Sequence, residues 1–343
     1  MSKKKWGSIL VASALAAVML AGCSSNTKET IDSANTGSSA AEGPKYTFRL
    51  ADTHPEGYPT VVGDRKFAEL VNEKSGGRIK IEVFPASQLG EEKAVIEQVQ
   101  LGAIELTRVS TGAMGGFNKE YEVFSLPYIF NSDEHLWKFL ESDKGKKLLD
   151  SLESSRMKGL AYYSSGARNF YSTKPLTSIA DMKGLKVRVI QNKVNIDLME
   201  ALGANATPMA YGEVFGALQT GVIDAAENNY PSYDTSNHYQ QAKNLILDQH
   251  QRVPEVLLIS KITWDKLSDA DKKIISEAAQ ESVATQRAEW DKFEKQSEEK
   301  IKAAGVTITE VTDFTPWQEA VKPVIEKYRA DYSEILDAIE KAK

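Results

Sequence analysis

After Pro44 the apolar and polar positions follow two periods that trade places along the chain. Lys45 to Ala51 (KYTFRLA) alternates as a strand does and runs into a turn at Asp52-Thr53-His54-Pro55. Residues 60–75 carry Val61, Phe67, Leu70 and Val71 at helical spacing and stop at Gly76-Gly77. Arg78 to Phe84 (RIKIEVF) alternates as a second strand, residues 91–101 read as a helix, and after Gly102 the segment Ile104 to Val109 reads as a third strand. This β-α-β-α-β order predicts an α/β fold, a parallel sheet with helices on its faces. Further strands are expected at 157–164, 185–190 (LKVRVI), 222–226, 244–248 and 255–260 (EVLLIS), with helices near 193–202 and 212–220. No internal repeat is found. No shift in composition separates tandem domains, so two lobes sharing crossing strands are expected.

The C-terminal part reads differently. Residues 268–304 run 37 positions without Pro or Gly behind a Ser268-Asp269 start, with Ile275, Ala278, Ala279, Trp290 and Ile301 near helical spacing. One helix over this stretch would be roughly 55 Å long, more than one small lobe is wide. Two helices with an unmarked break would satisfy the same pattern.

The chain has 343 residues, with 42 Lys+Arg against 48 Asp+Glu, and its length suits about two domains. The acidic balance argues against a nucleic-acid partner, because phosphate neutralisation needs clustered Lys and Arg. A single cysteine forms no internal disulfide and leaves no cysteine-based zinc site.

That cysteine stands at the end of a distinct N-terminal segment. Lys3, Lys4 and Lys5 precede an apolar run from Ile9 to Ala21, the layout of a secretory signal peptide over residues 1–22 and too short for a comfortable span of about 20 residues. Leu20-Ala21-Gly22-Cys23 resembles the lipobox of bacterial lipoproteins, in which the peptide is cut before the cysteine and the thiol receives a diacylglycerol. A plain signal peptide with an incidental cysteine, or an uncleaved anchor, are the alternatives. Residues 23–44 are rich in Ser, Thr, Asn, Ala and Gly and are expected to be a flexible tether. Cleavage would leave 39 basic against 48 acidic residues, a charge of −9, on a domain lipid-anchored at Cys23 to the outer face of the cytoplasmic membrane.

Catalytic signatures are absent. No G-x-x-x-x-G-K-[ST], strand-linked G-x-G-x-x-G, H-E-x-x-H or G-x-S-x-G is present, and His54, His135, His238 and His250 are scattered. The sequence calls for no cofactor and no metal, and an exported α/β protein of this kind points first to ligand capture rather than to an enzyme.

Several segments, taken in order, resemble the solute-binding proteins of TRAP transporters (tripartite ATP-independent periplasmic transporters). They are Phe84-Pro85 to Gly90 and Glu97 to Ile104; Ser125-Leu126-Pro127-Tyr128-Ile129-Phe130; Gly166-Ala167-Arg168, Lys174-Pro175 and Asp181 to Val189; and Leu202-Gly203-Ala204, Thr207-Pro208-Met209 and Glu213 through Asp224 to Asn229. The likeness covers about 45–340. It implies a two-lobed periplasmic-binding-protein-like fold with a central cleft, crossing strands and a long helix spanning both lobes, which fits 268–304. The expected division is 45–165 plus about 255–293 for lobe 1, and 166–254 plus about 294–343 for lobe 2. The resemblance also implies a small organic acid as ligand and TRAP-type membrane permease subunits as partners.

On this resemblance Arg188 forms a two-pronged salt bridge with the ligand carboxylate, which a guanidinium fork matches and a lysine does not. Arg168 is implied as a second cation, with an interlobe or loop salt bridge as the alternative, and Asn228, offering both donor and acceptor, matches a ligand-binding asparagine, with a turn-forming asparagine as the alternative. Glu227 beside it reads as structural, and Asn229 as a weaker candidate. His54, Ser110, Tyr211 and Glu92 are further ligand-binding candidates, each with a structural alternative: a loop histidine, a strand-end hydroxyl, a core aromatic and a helix-start acid. Phe170, Tyr171, Tyr230 and Tyr233 could stack on a sugar face or fill the core. The blocks around Arg168 and Asn228 look most like members that bind hexuronates, glucuronate and galacturonate. C4-dicarboxylates, sialic acid and other sugar acids stay open, as do a ligand-presenting sensor and a sugar-acid enzyme using His54 and Glu92.

Overall fold

The computed structural model describes residues 43–343. The signal peptide, Cys23 and all but the end of the tether therefore lie outside the described residues. The strands are β1 Tyr46–Ala51, β2 Ile79–Phe84, β3 Leu106–Ser110, β4 Met157–Tyr163, β5 Ala167–Ser172, β6 Lys186–Val189, β7 Asn205–Pro208, β8 Ala225–Asn228, β9 Asn244–Arg252, β10 Glu255–Ser260 and β11 Thr307–Glu310. They form two sheets, ordered β2-β1-β3-β10-β4 and β11-β9-β5-β8-β6-β7. In the first, β1, β2 and β3 are parallel, as the β-α-β-α-β pattern requires, and β10 runs antiparallel between β3 and β4. In the second, β6 is parallel to β7 and β8, while β5 runs antiparallel between β8 and β9. Each sheet is the centre of one lobe of an α/β, two-lobed fold.

The chain crosses between lobes on two adjacent extended segments, β4 to β5 and β9 to β10. Tyr163 pairs with Glu255 at one end of the crossing and Ala167 with Arg252 at the other. The unpaired stretch between is held by side chains. Gln286 accepts from Ser164 N (2.7 Å) and donates to Ser164 O (2.9 Å), and Asn229 Nδ2 donates to Ser165 O (2.9 Å). Thr111 bonds the Pro254 carbonyl through both its backbone N–H and its hydroxyl, which ties the second segment to the first lobe.

Residues 268–304 form one unbroken helix, Asp269–Ala303, capped by Ser268 Oγ on Asp271 N (3.1 Å). Its first half packs Ile275, Ala278 and Ala279 with Phe67 and Val71 of the helix Pro59–Lys74. Trp290 sits against Tyr58 near the crossing, and Ile301 joins Tyr171 and Tyr233 in the second lobe. Gly63 permits the closest approach, since a Cβ there would lie 2.8 Å from Gln286 Cβ and 3.0 Å from Tyr163 Cε2.

Two expectations are corrected. The end of the chain, assigned to lobe 2, divides: in the helix Thr315–Lys341, Trp317 and Val321 pack with the second-lobe core, whereas Val324, Tyr328, Tyr332, Ile335 and Ile339 return to the first-lobe core. An amphipathic helix of that length also reaches across both lobes. The strand expected at 222–226 lies at Ala225–Asn228, because Gly221 (φ +71°) and the exposed Val222 form a turn.

That turn discloses a short repeat that periodicity alone did not reveal. Val99-Gln100-Leu101-Gly102-Ala103-Ile104-Glu105 and Leu218-Gln219-Thr220-Gly221-Val222-Ile223-Asp224 occupy matching places, one in each lobe. Both glycines have φ +71°, the conformation that ends a helix without a Cβ penalty, and both isoleucines are buried. The acid that follows accepts from the neighbouring strand: Glu105 from Arg49 N (2.9 Å) and Asp224 from Lys186 N (3.0 Å).

Gly63→Leu is expected to force the two helices apart and to lower the unfolding free energy by about 1–3 kcal/mol, the range for overpacking a close contact. Urea unfolding of both proteins measures the difference.

Candidate functional site

The carboxyl ends of β1, β3, β6 and β8 converge on the cleft between the lobes, the place where open α/β sheets bind ligands. One inner cavity there is lined by His54, Glu92, Ser110, Arg168, Arg188, Tyr211 and Asn228, so all seven predicted residues within the described part of the chain come together. The first lobe supplies His54, Glu92 and Ser110, and the second supplies the rest. The four candidate aromatics do not line it. Phe170 stacks on His250, Tyr171 and Tyr233 pack on each other in the second-lobe core, and Tyr230 lies against that core.

The two arginines of the second lobe differ in a decisive way. Arg168 is held by Glu227: Nη2 donates to Oε1 (2.9 Å) and to the Glu227 carbonyl (2.9 Å), and Nε donates to Oε2. Its Nη1 donates to Asn228 Oδ1 (3.0 Å), which fixes the asparagine amide. Burial pushes Glu227 up, but Arg168 and His250 outweigh it and hold the carboxyl down at about 2. Arg188, buried on β6, has no carboxylate partner among the described residues. Its Nε and Nη2 both donate to the Met209 carbonyl (3.1 and 3.0 Å), and burial lowers its pKa from the ordinary arginine value. Of the three arginines in this cleft it is the one without a hydrogen-bonded carboxylate among the described residues.

The other candidates have mixed roles. Glu92 Oε1 accepts from Ser110 N (2.7 Å) and faces Arg108 Nη1 (3.4 Å). Burial first, and Glu255 next, raise its pKa to about 7. Ser110 Oγ accepts from Gly112 N (3.2 Å), leaving its own hydroxyl hydrogen free to donate. The His54 ring stacks on Tyr58 at 3.7 Å between centroids, and its buried Nδ1 has no partner in the structure. Burial, assisted by Arg108, lowers its pKa to about 3, so the ring is neutral at ordinary pH. Tyr211 donates to Ser232 O (3.2 Å) and meets His54 edge-on at 5.3 Å, forming an aromatic wall. Asn229 is occupied by Ser165 and by capping Ser232 N (2.8 Å).

Sequence reasoning missed two buried anchors. Arg108, in the central strand β3, pairs with Asp52 (Nε–Oδ2 2.9 Å) and Glu255 (Nη1–Oε2 2.8 Å) and donates to Thr53 Oγ1 (3.2 Å). Burial alone would raise Asp52, but Arg108 prevails and keeps its pKa low. A charged residue within Leu106-Thr107-Arg108-Val109-Ser110, a central strand of an otherwise apolar sheet, was the available signal. His250 bonds Asp248 Oδ2 (2.8 Å) and approaches Glu227 Oε2 (3.7 Å); against its burial, these two carboxylates raise its pKa to about 9. Its partner Asp248 stands two residues before it in β9, which was the available signal; its approach to Glu227 depends on tertiary pairing.

An outer cavity of about 630 Å³ continues from the inner one and shares Glu92, Arg188, Ile190 and Tyr211 with it. The lobes touch across it: Gly212 N faces Glu91 Oε2 (3.4 Å), and Asn192 Nδ2 donates to Gly112 O and Ser125 Oγ (both 3.0 Å).

Comparison with known proteins agrees with this architecture. The model of the bacterial extracellular solute-binding proteins, family 7, matches residues 50–331. A solute-binding protein of Chromohalobacter salexigens is 38% identical over 290 residues, 84% of this chain and 86% of its own. Among solved structures, a TRAP periplasmic solute-binding protein of Pseudomonas putida F1 with bound D-glucuronate is 40% identical, with a TM-score of 0.84 over 86% of this chain and 97% of its own. Another, of Xanthobacter autotrophicus Py2 with bound β-D-galacturonate, is 41% identical, with a TM-score of 0.83 over 86% and 98%.

The His250 ring carries a folded-state pKa above its ordinary value of 6.5. Its contribution to stability is therefore whole below pH 6.5 and is lost as pH rises through about 9. The loss is expected to reach about 3 kcal/mol. An NMR titration of the ring nitrogens should find His250 doubly protonated at neutral pH with His54 neutral, and denaturant unfolding across the window measures the loss.

Proposed function

The chain belongs to the bacterial extracellular solute-binding proteins of family 7, the binding proteins of TRAP transporters, and from that premise we propose that it captures a hexuronate, D-glucuronate or D-galacturonate. Members of this family bind small organic acids and work with membrane permeases. The observation that carries the ligand reading is Arg188, a buried guanidinium in the cleft that lacks an internal counter-ion. A carboxylate placed against its outward face supplies the missing charge. Arg168 holds the Asn228 amide for the same carboxylate or for the oxygen beside it. Glu92, the Ser110 hydroxyl, the neutral His54 ring and Tyr211 offer donors and acceptors for sugar hydroxyls from both lobes.

Charged hydrogen bonds contribute about 1.5–3 kcal/mol each, and a micromolar complex needs about 8 kcal/mol. One guanidinium fork and a few hydroxyl contacts reach that once closure of the lobes has been offset. The ligand is bound and released unchanged, and the closed form delivers it to the permease. The proposal extends to the N-terminus: a signal peptide over 1–22, a diacylglycerol on Cys23 and the following tether would hold the domain at the outer face of the membrane. Among the described residues no helix is long and apolar enough to cross a membrane.

A thermal-shift screen of organic acids on the domain from Gly43 onward tests the ligand. At a hundred times its dissociation constant a hexuronate should add about 2.7 kcal/mol, and a shift with dicarboxylate or sialate alone would overturn the substrate. Arg188→Ala should weaken binding by roughly 2–4 kcal/mol in calorimetry, because it strands a desolvated carboxylate, and Arg188→Lys should not restore it. Unchanged affinity in Arg188→Ala would remove this residue from the site. Cys23→Ser should release the protein from the membrane fraction; retention would exclude the lipid anchor.

A further inference from the structure

Resting on the uronate reading, we propose that Glu92 makes the cleft selective for ligands with a single carboxylate: hexuronates are taken, and aldarates, the sugar acids with a carboxylate at each end, are rejected. Glu92 is the first residue of the helix Glu92–Gln100 and lines both cavities from the first lobe, as Arg188 does from the second. The two groups act on each other's charge. A ligand whose carboxylate is held by Arg188, and which spans the cleft, presents its other end to the first lobe, where Glu92 stands.

That wall has no positive charge left to give. Arg108, almost fully buried, makes five donor contacts, as many as a guanidinium has N–H groups. Two reach Asp52, one Glu255 (2.8 Å), one Thr53 Oγ1 (3.2 Å) and one Glu92 Oε1 (3.4 Å). Three carboxylates therefore share one guanidinium, and Glu92 has the longest contact of the three. Its Oε1 also accepts from Ser110 N (2.7 Å), and among the described residues nothing donates to its Oε2. Burial, and after it Glu255, push this carboxyl up to about 7, as expected of a group set among negative charge. The other groups nearby do not offset it. The His54 ring is neutral at ordinary pH, the Lys93 side chain is exposed at the rim, and Arg168 across the cleft is answered by Glu227.

A sugar hydroxyl suits this wall, because it donates to the open Oε2. A second carboxylate has no hydrogen to donate. Placing it beside Glu92 in a cleft closed from water sets two like charges together, which low-dielectric surroundings penalise heavily.

Calorimetry at pH 8, where Glu92 carries its charge, tests this with D-glucuronate and D-galacturonate against D-glucarate and galactarate. The native protein is compared with Glu92→Gln, which keeps the length and the acceptor for Ser110 N and removes the charge. The native protein should bind a hexuronate more than tenfold more tightly than the matching aldarate. Glu92→Gln should bind that aldarate at least threefold more tightly than the native protein does, a gain that loss of a hydroxyl contact would not produce. An aldarate bound within tenfold of its hexuronate overturns the proposal. So does an aldarate that gains less than threefold in Glu92→Gln, since its exclusion would then be one of shape. If neither hexuronate binds the native protein while another monocarboxylate does, the uronate reading fails instead, and the aldarate gain in Glu92→Gln still decides the role of this residue.

Discussion

Placing a guanidinium out of reach of water costs several kcal/mol unless something negative lies beside it, and three of them line this cleft. Arg108 is answered by Asp52 and Glu255, and Arg168 by Glu227, each with bonds near 2.9 Å. Those pairs fix the ends of β1, β3, β5, β8 and β10 relative to one another, so they organise the floor on which a ligand would rest. Arg188 is hydrogen-bonded only to the Met209 carbonyl, with Glu227 and Glu92 acting on it from further off. The fold thus spends internal carboxylates on two cations and withholds one from the third. What selects an anion is a guanidinium at a defined place that has no hydrogen-bonded carboxylate of its own.

The same arrangement ties recognition to motion. Candidate contacts come from both lobes, and the lobes are joined by two extended crossings and two helices that bridge them. The crossings are not slack: Gln286 and Asn229 satisfy the exposed backbone at Ser164 and Ser165. Bending is therefore confined to a short stretch, while the long helix Asp269–Ala303 is packed on both sides of it. A ligand bonded to both walls shifts the balance toward the closed form by its differential affinity alone.

Much of this was legible in the sequence because it depends on period and on local chemistry. The alternation in RIKIEVF, the Gly76-Gly77 stop and the unbroken run of 268–304 gave strands and helices near their observed limits. The convergence of His54, Ser110 and Asn228 followed from their places at or just beyond strand ends. What stayed hidden depends on tertiary pairing. The β5 segment, ARNFYS, is not among the expected strands because its pattern is short and almost wholly buried, and only pairing with β8 and β9 makes it a strand. The engagement of Arg168 by Glu227 joins residues 59 positions apart, and that of Arg108 by Glu255 joins residues 147 apart. The turn at Gly221 was legible locally, since it repeats Gly102, but a search for long periods passes over a seven-residue unit used twice.

An acidic domain that captures an anion raises a question of magnitude. From Cys23 onward the chain carries −9. A domain of about 300 residues has a radius of gyration near 19 Å, so that charge acting from the centre repels a monoanion at the surface by about 2 kcal/mol in unscreened water. A Debye length of about 8 Å at physiological salt cuts this to roughly 0.5 kcal/mol, a two- to threefold effect on encounter. Inside the cleft the balance reverses: the walls exclude water, screening fails, and one unpaired guanidinium at hydrogen-bonding distance outweighs the diffuse field several-fold. Net charge therefore governs how the domain stays soluble and apart from its copies, and the local placement of Arg188 governs what it holds. The two scales of electrostatics are separable because the carboxylates responsible for the net charge lie mostly on exposed helix faces, whereas those near the site are already committed to Arg108, Arg168 and His250.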